Sequence, residues 1–500
     1  MIKLLHTGDL HLGVETYGRT GPDGINTRIT DYLLMLDEMV AWSVENKIDA
    51  FVIAGDVFDV ERPANYVVSE FSKRIRKLLD NQIAVIITPG NHETTSSARV
   101  PSVLETIKAL KPSNTNEGLN ISCHVLGSQP KSPGDMESCG DLTQVETRSG
   151  ILQVLAMPYP RRSELLTGDE LKNKSTQEKK DFAATRFLER ISALAKRSKQ
   201  GLPSIFIGHF GLKEAHMQPG RKGYLADDVV LSLYDLSSSL SDSPALYSYI
   251  ALGHYHNPQM PTTNLSPSIE SENLDGEVDS RLDIIPCVAW GRDYLEFVNQ
   301  PEDSVLPLGK KPVKLIKTVY SGSPGRKDFS DGSRQRNFIK VEVDENASWG
   351  EPVSVKKSRQ LRQLTLENQS IWKTELEEKF FKSHYWHDIY SAGKESGSVE
   401  ETEQKVGLPL PIFRLKIRES ARNLWTEIRA WLESLNMFHR ILLYVTPEKR
   451  NTPEQVIAVA EAPLDAVSGY IEALDDEFSR THKKELIEQA QKILTEAEVI

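Results

Sequence analysis

His254 and His256 stand one residue apart in "YIALGHYHNPQ", just past an apolar run. If the chain stays extended there, both imidazoles lie on one side, a placement that suits metal ligands. Four other stretches repeat the pattern of apolar run, glycine, then a metal-capable side chain. "KLLHTGDLHLG" leads through Gly8 to Asp9 and His11, and "DAFVIAGDVFD" through Gly55 to Asp56. "IAVIITPGNHE" leads through Gly90 to Asn91 and His92, with Glu93 next, and "PSIFIGHFG" through Gly208 to His209. Carboxylate, imidazole and amide ligands without thiolates suit two manganese, iron or zinc ions better than a calcium cage or a cysteine zinc site. Two ions ~3.5–4 Å apart need a shared ligand, and a carboxylate such as Asp56 has an oxygen for each. A centre of that kind is suited to phosphoryl chemistry, since paired cations ease deprotonation of water and stabilise an in-line displacement.

Five separated segments meet only if strands carry them to a common edge. Each apolar run is nearly continuous, as expected of a strand covered on both faces. Between them, "RITDYLLMLDEMVAWSVENK" places Ile29, Leu33, Leu36, Met39 and Val40 on one helical face, and "NYVVSEFSKRIRKLLDNQ" does so with Val68, Phe71, Ile75 and Leu78. Strands alternating with helices predict a layered α/β domain, in which ligands gather beyond the carboxyl ends of the strands.

Composition narrows the class further. The 500 residues allow two to four domains, and no apolar run approaches the ~20 residues of a membrane span. "MIKLLHTGDL" lacks a signal-peptide core, which points to the cytoplasm. The three cysteines, Cys123, Cys139 and Cys287, are far apart and suggest neither a disulfide framework nor a thiolate site. A net charge of −11 argues against a generally basic nucleic-acid coat, so any contact with nucleic acid must be local.

The series D-x-H, G-D, G-N-H-E, G-H and G-H-x-H resembles that of the calcineurin-like metallophosphoesterases. "LLHTGDLHLG", "FVIAGDVFD", "GHYHNPQ" and "YSGSPGRKDFSD" resemble, within that group, the D subunits of SbcCD nucleases and their archaeal and eukaryotic meiotic-recombination relatives. The resemblance covers most of residues 1–345. It implies a two-layered β-sandwich flanked by helices, with a small α+β cap domain and a C-terminal helical tail. It also implies two manganese ions, one held by Asp9, His11, Asp56 and His256, the other by Asp56, Asn91, His209 and His254. His92 then contacts the phosphate and protonates the leaving oxygen; an imidazole near the metals can donate a proton near neutral pH, and Glu93, next in the chain, is the residue expected to orient it.

Expected boundaries are 1–345 for the phosphoesterase domain, with polar insertions near 111–148 and 260–315, then 350–450 for the cap after a polar connector that includes "SAGKESGSVEETEQK", and 455–500 for the tail. "PIFRLKIRES", "ARNLWTEIRAWLESL" and "RILLYVTP" predict strand, helix and strand within the cap. In the tail, Leu464, Val467, Ile471, Leu474 and Phe478 form one apolar face, and Leu486, Ile487, Ile493 and Leu494 belong to a second. Packing on the cap would account for both faces. The resemblance implies instead that they grip the coiled coil of an SMC-like ATPase of the SbcC type, in a two-plus-two assembly containing a homodimer of this chain.

The function implied is a DNA exonuclease and endonuclease in double-strand-break repair. The alternative is a stand-alone phosphodiesterase on nucleotides or small esters, since the same metal core serves both. DNA phosphates would meet local cations, for which Arg161, Arg162, Lys213, Arg221, Lys222, Arg326 and Lys327 are candidates. No base-reading motif is present, so ends or hairpins rather than a base sequence would be recognised.

Overall fold

The computed structural model describes residues 1–94, 102–113, 119–172, 174–215, 229–261, 316–331, 335–366, 369–382 and 384–446, together with 487 and 489. Thirteen strands order its larger part. They are β1 Ile2–Thr7, β2 Ala50–Ala54, β3 Ala84–Thr88, β4 Cys123–Val125, β5 Asp141–Thr147, β6 Gly150–Met157, β7 Ser204–His209, β8 Gly211–Leu212, β9 Val230–Leu231, β10 Tyr247–Gly253, β11 Lys317–Tyr320, β12 Asn337–Val343 and β13 Ser348–Ser354.

Two sheets stack face to face. The first runs β13-β12-β1-β2-β3-β4, with β1 to β4 parallel and β12 and β13 antiparallel additions. The second runs β11-β10-β7-β6-β5, parallel except for β5. Alternation along the second sheet shows the layering. Val154, Ala156, Ile205, Ile207, Tyr249, Ala251 and Val319 join one core with β1, β2 and β3. Their neighbours Leu155, Met157, Phe206, Ile250, Leu252 and Tyr320 turn to a second core, beneath helices Thr176–Ala195 and Leu233–Ser241. Every residue of β2, β3, β7 and β10 is buried, as their unbroken apolar runs predict. The architecture is thus a two-layered β-sandwich flanked by helices.

Helix Thr27–Glu45 starts at Asn26, whose side chain accepts the Arg28 N–H, and it buries the expected Ile29, Leu33, Leu36, Met39 and Val40. Helix Asn65–Asp80 buries Val67 with Phe71, Ile75 and Leu78, whereas Val68 is only partly covered, so the apolar stripe is shifted at its first turn. The expected polar insertion at 111–148 and the polar connector both contain regular structure. Within 111–148, β4 and β5 each close an edge of a sheet. Within "SAGKESGSVEETEQK", Val399–Val406 is helical, because Ser398 caps its start and Gly407 takes the left-handed turn (φ 70°) that ends it.

The described chain divides into two compact units. One comprises Met1–Gln363, Asp388–Phe413 and Leu435–Arg440, and the other Leu364–His387 and Arg414–Ser434 with the described residues from Ile441 onward. In the second unit, helices Trp372–Lys382 and Trp425–Ser434 meet through the Trp372 and Trp431 rings, 5.4 Å apart between centroids. Ile412–Arg418, Trp425–Ser434 and Arg440–Thr446 follow the expected strand, helix, strand order. Of the insertion expected near 260–315, residues 262–315, with Cys287, lie outside the described residues. So do the tail positions Leu464, Val467, Ile471, Leu474, Phe478, Leu486, Ile493 and Leu494, while Ile487 is helical. No helix among the described residues is long and apolar enough to cross a membrane.

Candidate metal centre

All five ligand-bearing segments leave parallel strands at their carboxyl ends, β1, β2 and β3 from one sheet and β7 and β10 from the other. The glycines at these ends let the strand ends crowd together, both within the first sheet and between the two sheets. A Cβ on Gly55 would overlap the His209 ring, one on Gly253 the Ala54 carbonyl, and one on Gly90 the Asp56 carboxylate. Past the glycines the chain bends sharply, and Asp9, His11, Asp56 and His254 adopt positive φ of 51°, 44°, 50° and 93°. Asp and His tolerate that region better than most residues, and such strain concentrates at functional sites.

Three overlapping groups result, Asp9 with His11 and His256, His11 with Asp56 and His92, and Asp9 with Asp56 and His209. In the first, His11 Nε2 and His256 Nε2 lie 3.0 Å apart. Each ring turns its other nitrogen to a carboxylate, His11 Nδ1 lying 3.3 Å from Asp59 and His256 Nδ1 3.5 Å from Asp331. With the protons at Nδ1, on the side of these carboxylates, the two Nε2 lone pairs would converge, an arrangement a cation relieves. Burial lowers the His11 pKa against the pull of Asp59 and Asp56, which favours this neutral form.

In the other half, His209 Nδ1 donates to the Ala54 carbonyl at 2.8 Å, so Nε2 is turned toward the centre. There it meets Asn91 Oδ1 at 3.1 Å and Asp56 Oδ2 at 3.4 Å. Burial alone would lower the His209 pKa, but Asp56 and Asp9 raise it to about 10. Burial opposes ionisation of Asp56 as well, yet His209, His11 and His92 hold its carboxyl well below the usual range. The carboxylates therefore favour positive charge here, from a proton on His209 or from a cation in front of Nε2. Asp56 Oδ2 is also 3.7 Å from His11 Nε2, so one carboxylate stands between both halves. His254 completes the set, with its ring 5.2 Å from that of His209 and its N–H donated to both Asp9 oxygens at 3.0 Å. The seven residues fit a pair of divalent cations in ligand type, and five of them, Asp9, His11, Asp56, His209 and His256, fall into overlapping groups that could hold such ions.

His92 borders the same space. Its Nε2 is 3.8 Å from Asp56 Oδ2, its side chain is 19% exposed, and its Nδ1 is held by the Asp59 carbonyl at 2.5 Å. Glu93, expected to orient His92, directs its carboxylate elsewhere. It accepts the N–H groups of Asp56 at 3.1 Å, Gly90 at 2.9 Å and Phe58 at 2.8 Å. Burial and the adjacent Asp56 push its pKa up to about 8, against the bonds from Phe58 and Gly90. The ring of His92 is thus oriented by a backbone carbonyl, and Glu93 fixes the loop that carries Asp56.

The expected phosphate contacts divide. Arg326 is 1% exposed and gives its Nη1 to Ser358 Oγ at 3.0 Å, so it is an interior brace rather than a surface cation. Lys327 pairs with Asp59 at 2.6 Å. Arg161 donates to the Thr94 carbonyl at 2.7 Å, Arg162 is half-buried and Lys213 is exposed. Arg221 and Lys222 lie outside the described residues. Asp59, Asp331 and Arg336 were not anticipated. The only trace of the two carboxylates is that each ends a distinctive phrase, "GDVFD" and "GRKDFSD".

Comparison with known proteins gives the family. The family model for calcineurin-like phosphoesterases matches residues 2–258, more than half of the chain. The chain is 25% identical over 265 residues to the D subunit of the SbcCD nuclease of Rhodobacter capsulatus, a match spanning 52% of this chain and 58% of that protein. It is 26% identical over 261 residues to the DNA double-strand break repair protein Mre11 of Aeropyrum pernix, spanning 52% and 50%. It is 24% identical over 264 residues to the corresponding SbcCD nuclease chain of Escherichia coli strain K12, spanning 52% and 57%. The chain thus matches between half and three fifths of the length of these curated relatives.

Proposed function

The chain belongs to the calcineurin-like phosphoesterase family, and we propose that it is a manganese-dependent DNA nuclease that processes broken ends together with an SMC-like ATPase. The observation that carries the chemistry is the position of Asp56, whose Oδ2 stands 3.7 Å from His11 Nε2 and 3.4 Å from His209 Nε2. Divalent cations held there by Asp9, His11, Asp56 and His256, and by Asp56, Asn91, His209 and His254, would supply Lewis acidity and offset charge on a reacting phosphodiester. Nitrogen and oxygen ligands without thiolate suit manganese. His92 is the residue that gives a proton to the leaving oxygen. Its Nδ1 is anchored on the Asp59 carbonyl, so an imidazolium there presents its second proton at Nε2, toward the centre.

The DNA reading is supported by relatives named as part of a nuclease and as a double-strand break repair protein. Arg161, Arg162 and Lys213 are the described cations proposed to meet backbone phosphates. The assembly proposed is two copies of this chain with two of a cytoplasmic SbcC-type ATPase, gripped by the tail.

Purified chain with manganese should cleave end-labelled double-stranded and hairpin DNA, and His92→Ala or Asp56→Ala should abolish it. Turnover of a small diester without DNA cleavage, with the ATPase also added, would replace this reading with a small-molecule phosphodiesterase.

A further inference from the structure

The two imidazoles of one half-site are braced alike, each by a carboxylate that is itself held by a cation from residues 327–336. His11 Nδ1 lies 3.3 Å from Asp59, whose Oδ1 is 2.6 Å from Lys327 Nζ. His256 Nδ1 lies 3.5 Å from Asp331, whose Oδ1 is 3.9 Å from Arg336 Nη2. Arg336 also donates to the Asp331 carbonyl, and to the His256 carbonyl at 2.7 Å. Just upstream, the Ser323 N–H donates to the His256 carbonyl at 3.0 Å and its Oγ to the Asp9 carbonyl at 2.8 Å. Ser323, Lys327, Asp331 and Arg336 therefore brace all three residues of the Asp9, His11, His256 group, directly or through Asp59. His209, in the other half, is backed by the Ala54 carbonyl, a neutral acceptor.

A carboxylate behind a ligating imidazole fixes the ring and raises its basicity more than a carbonyl does, and losing such a partner typically costs about 10–100-fold in metal affinity. We propose that Asp59 and Asp331 are positioning residues that make the Asp9, His11, His256 half the tighter site, so that the pair of divalent cations loads in order, this half first. The inference rests on the two-metal reading above and adds the sequence of loading. Asp331 is 2% exposed and makes this half rigid as well as basic.

The test is calorimetric titration of the chelator-stripped full chain with Mn2+ alone. Two binding steps are expected. His209→Asn should remove the weaker step and leave the tighter one. Asp59→Asn and Asp331→Asn should each weaken the tighter step about 10–100-fold with the weaker step unchanged, and Asp59→Glu should recover part of the loss. Thermal unfolding of the stripped proteins separates this from a folding defect, and if Asp331→Asn does not fold, Asp59→Asn decides. A tighter step that ignores both carboxylates, or two steps that weaken together, would overturn the proposal. A wild-type chain that binds fewer than two ions would overturn the two-metal reading and this inference with it.

Discussion

Glu93 holds Asp56 by its backbone. Its Oε2 accepts the Asp56 N–H at 3.1 Å, while the Asp56 side chain accepts the N–H of His92 at 3.0 Å. A buried acceptor thus fixes the loop that carries the shared carboxylate. Glu93→Ala leaves the N–H groups of Asp56, Gly90 and Phe58 without that acceptor, and a loss of about 3 kcal/mol in urea unfolding is expected. Glu93→Gln retains one acceptor oxygen and should lose less.

The glycines at the strand ends make a sharper prediction. Gly55 has φ of 82°, and a Cβ there would enter the His209 ring. Left-handed strain of ~1–2 kcal/mol adds to overpacking of ~1–3 kcal/mol. Gly55→Ala should therefore be destabilised by roughly 2–5 kcal/mol in denaturant unfolding, and Gly253→Ala, blocked by the Ala54 carbonyl, should lose manganese binding in the same titrations.

Arg326 and Arg161 should separate stability from DNA contact. Arg326→Ala removes a buried guanidinium that bonds Ser358 and is expected to cost about 2–3 kcal/mol of stability. Arg161→Ala should leave unfolding nearly unchanged and weaken DNA binding, most visibly at low salt, in a fluorescence anisotropy titration.

The candidate ligands were legible in the sequence because all seven lie just past one of five strand ends marked by a glycine. Asp59 and Asp331 were not, since their bearing on His11 and His256 is set by how the chain after β2 and the segment before β12 fold back, a relation without linear spacing. Arg326 reads as a surface cation after a turn, yet the chain around Ser358 and Arg359 closes over it. The sandwich was implied by the family resemblance. The alternation of Ile205 and Ile207 against Phe206 reports it only when both cores are known. The helix at Val399–Val406 escaped notice because its caps, not an apolar stripe, define it.

His6 supplies a pH dependence outside the metal ligands. It is fully buried, with Nδ1 2.7 Å from the Tyr249 hydroxyl, and burial lowers its pKa to about 3. Below pH 6.5 the unfolded chain binds a proton that the folded chain refuses. Stability is therefore complete above that pH and is lost as pH falls toward about 3. His6→Phe should reduce the slope of unfolding free energy between pH 6 and 5 by up to ~1.4 kcal/mol per unit, measured by urea melts.

Sharing of Asp56 by two cations is the centre of the proposed chemistry, and anomalous diffraction at the manganese edge from manganese-soaked crystals addresses it most directly. Two peaks ~3.5–4 Å apart are expected on either side of Asp56, one beside His11 and His256 and the other beside Asn91 and His209. A single peak, or two peaks that do not share Asp56, would contradict it.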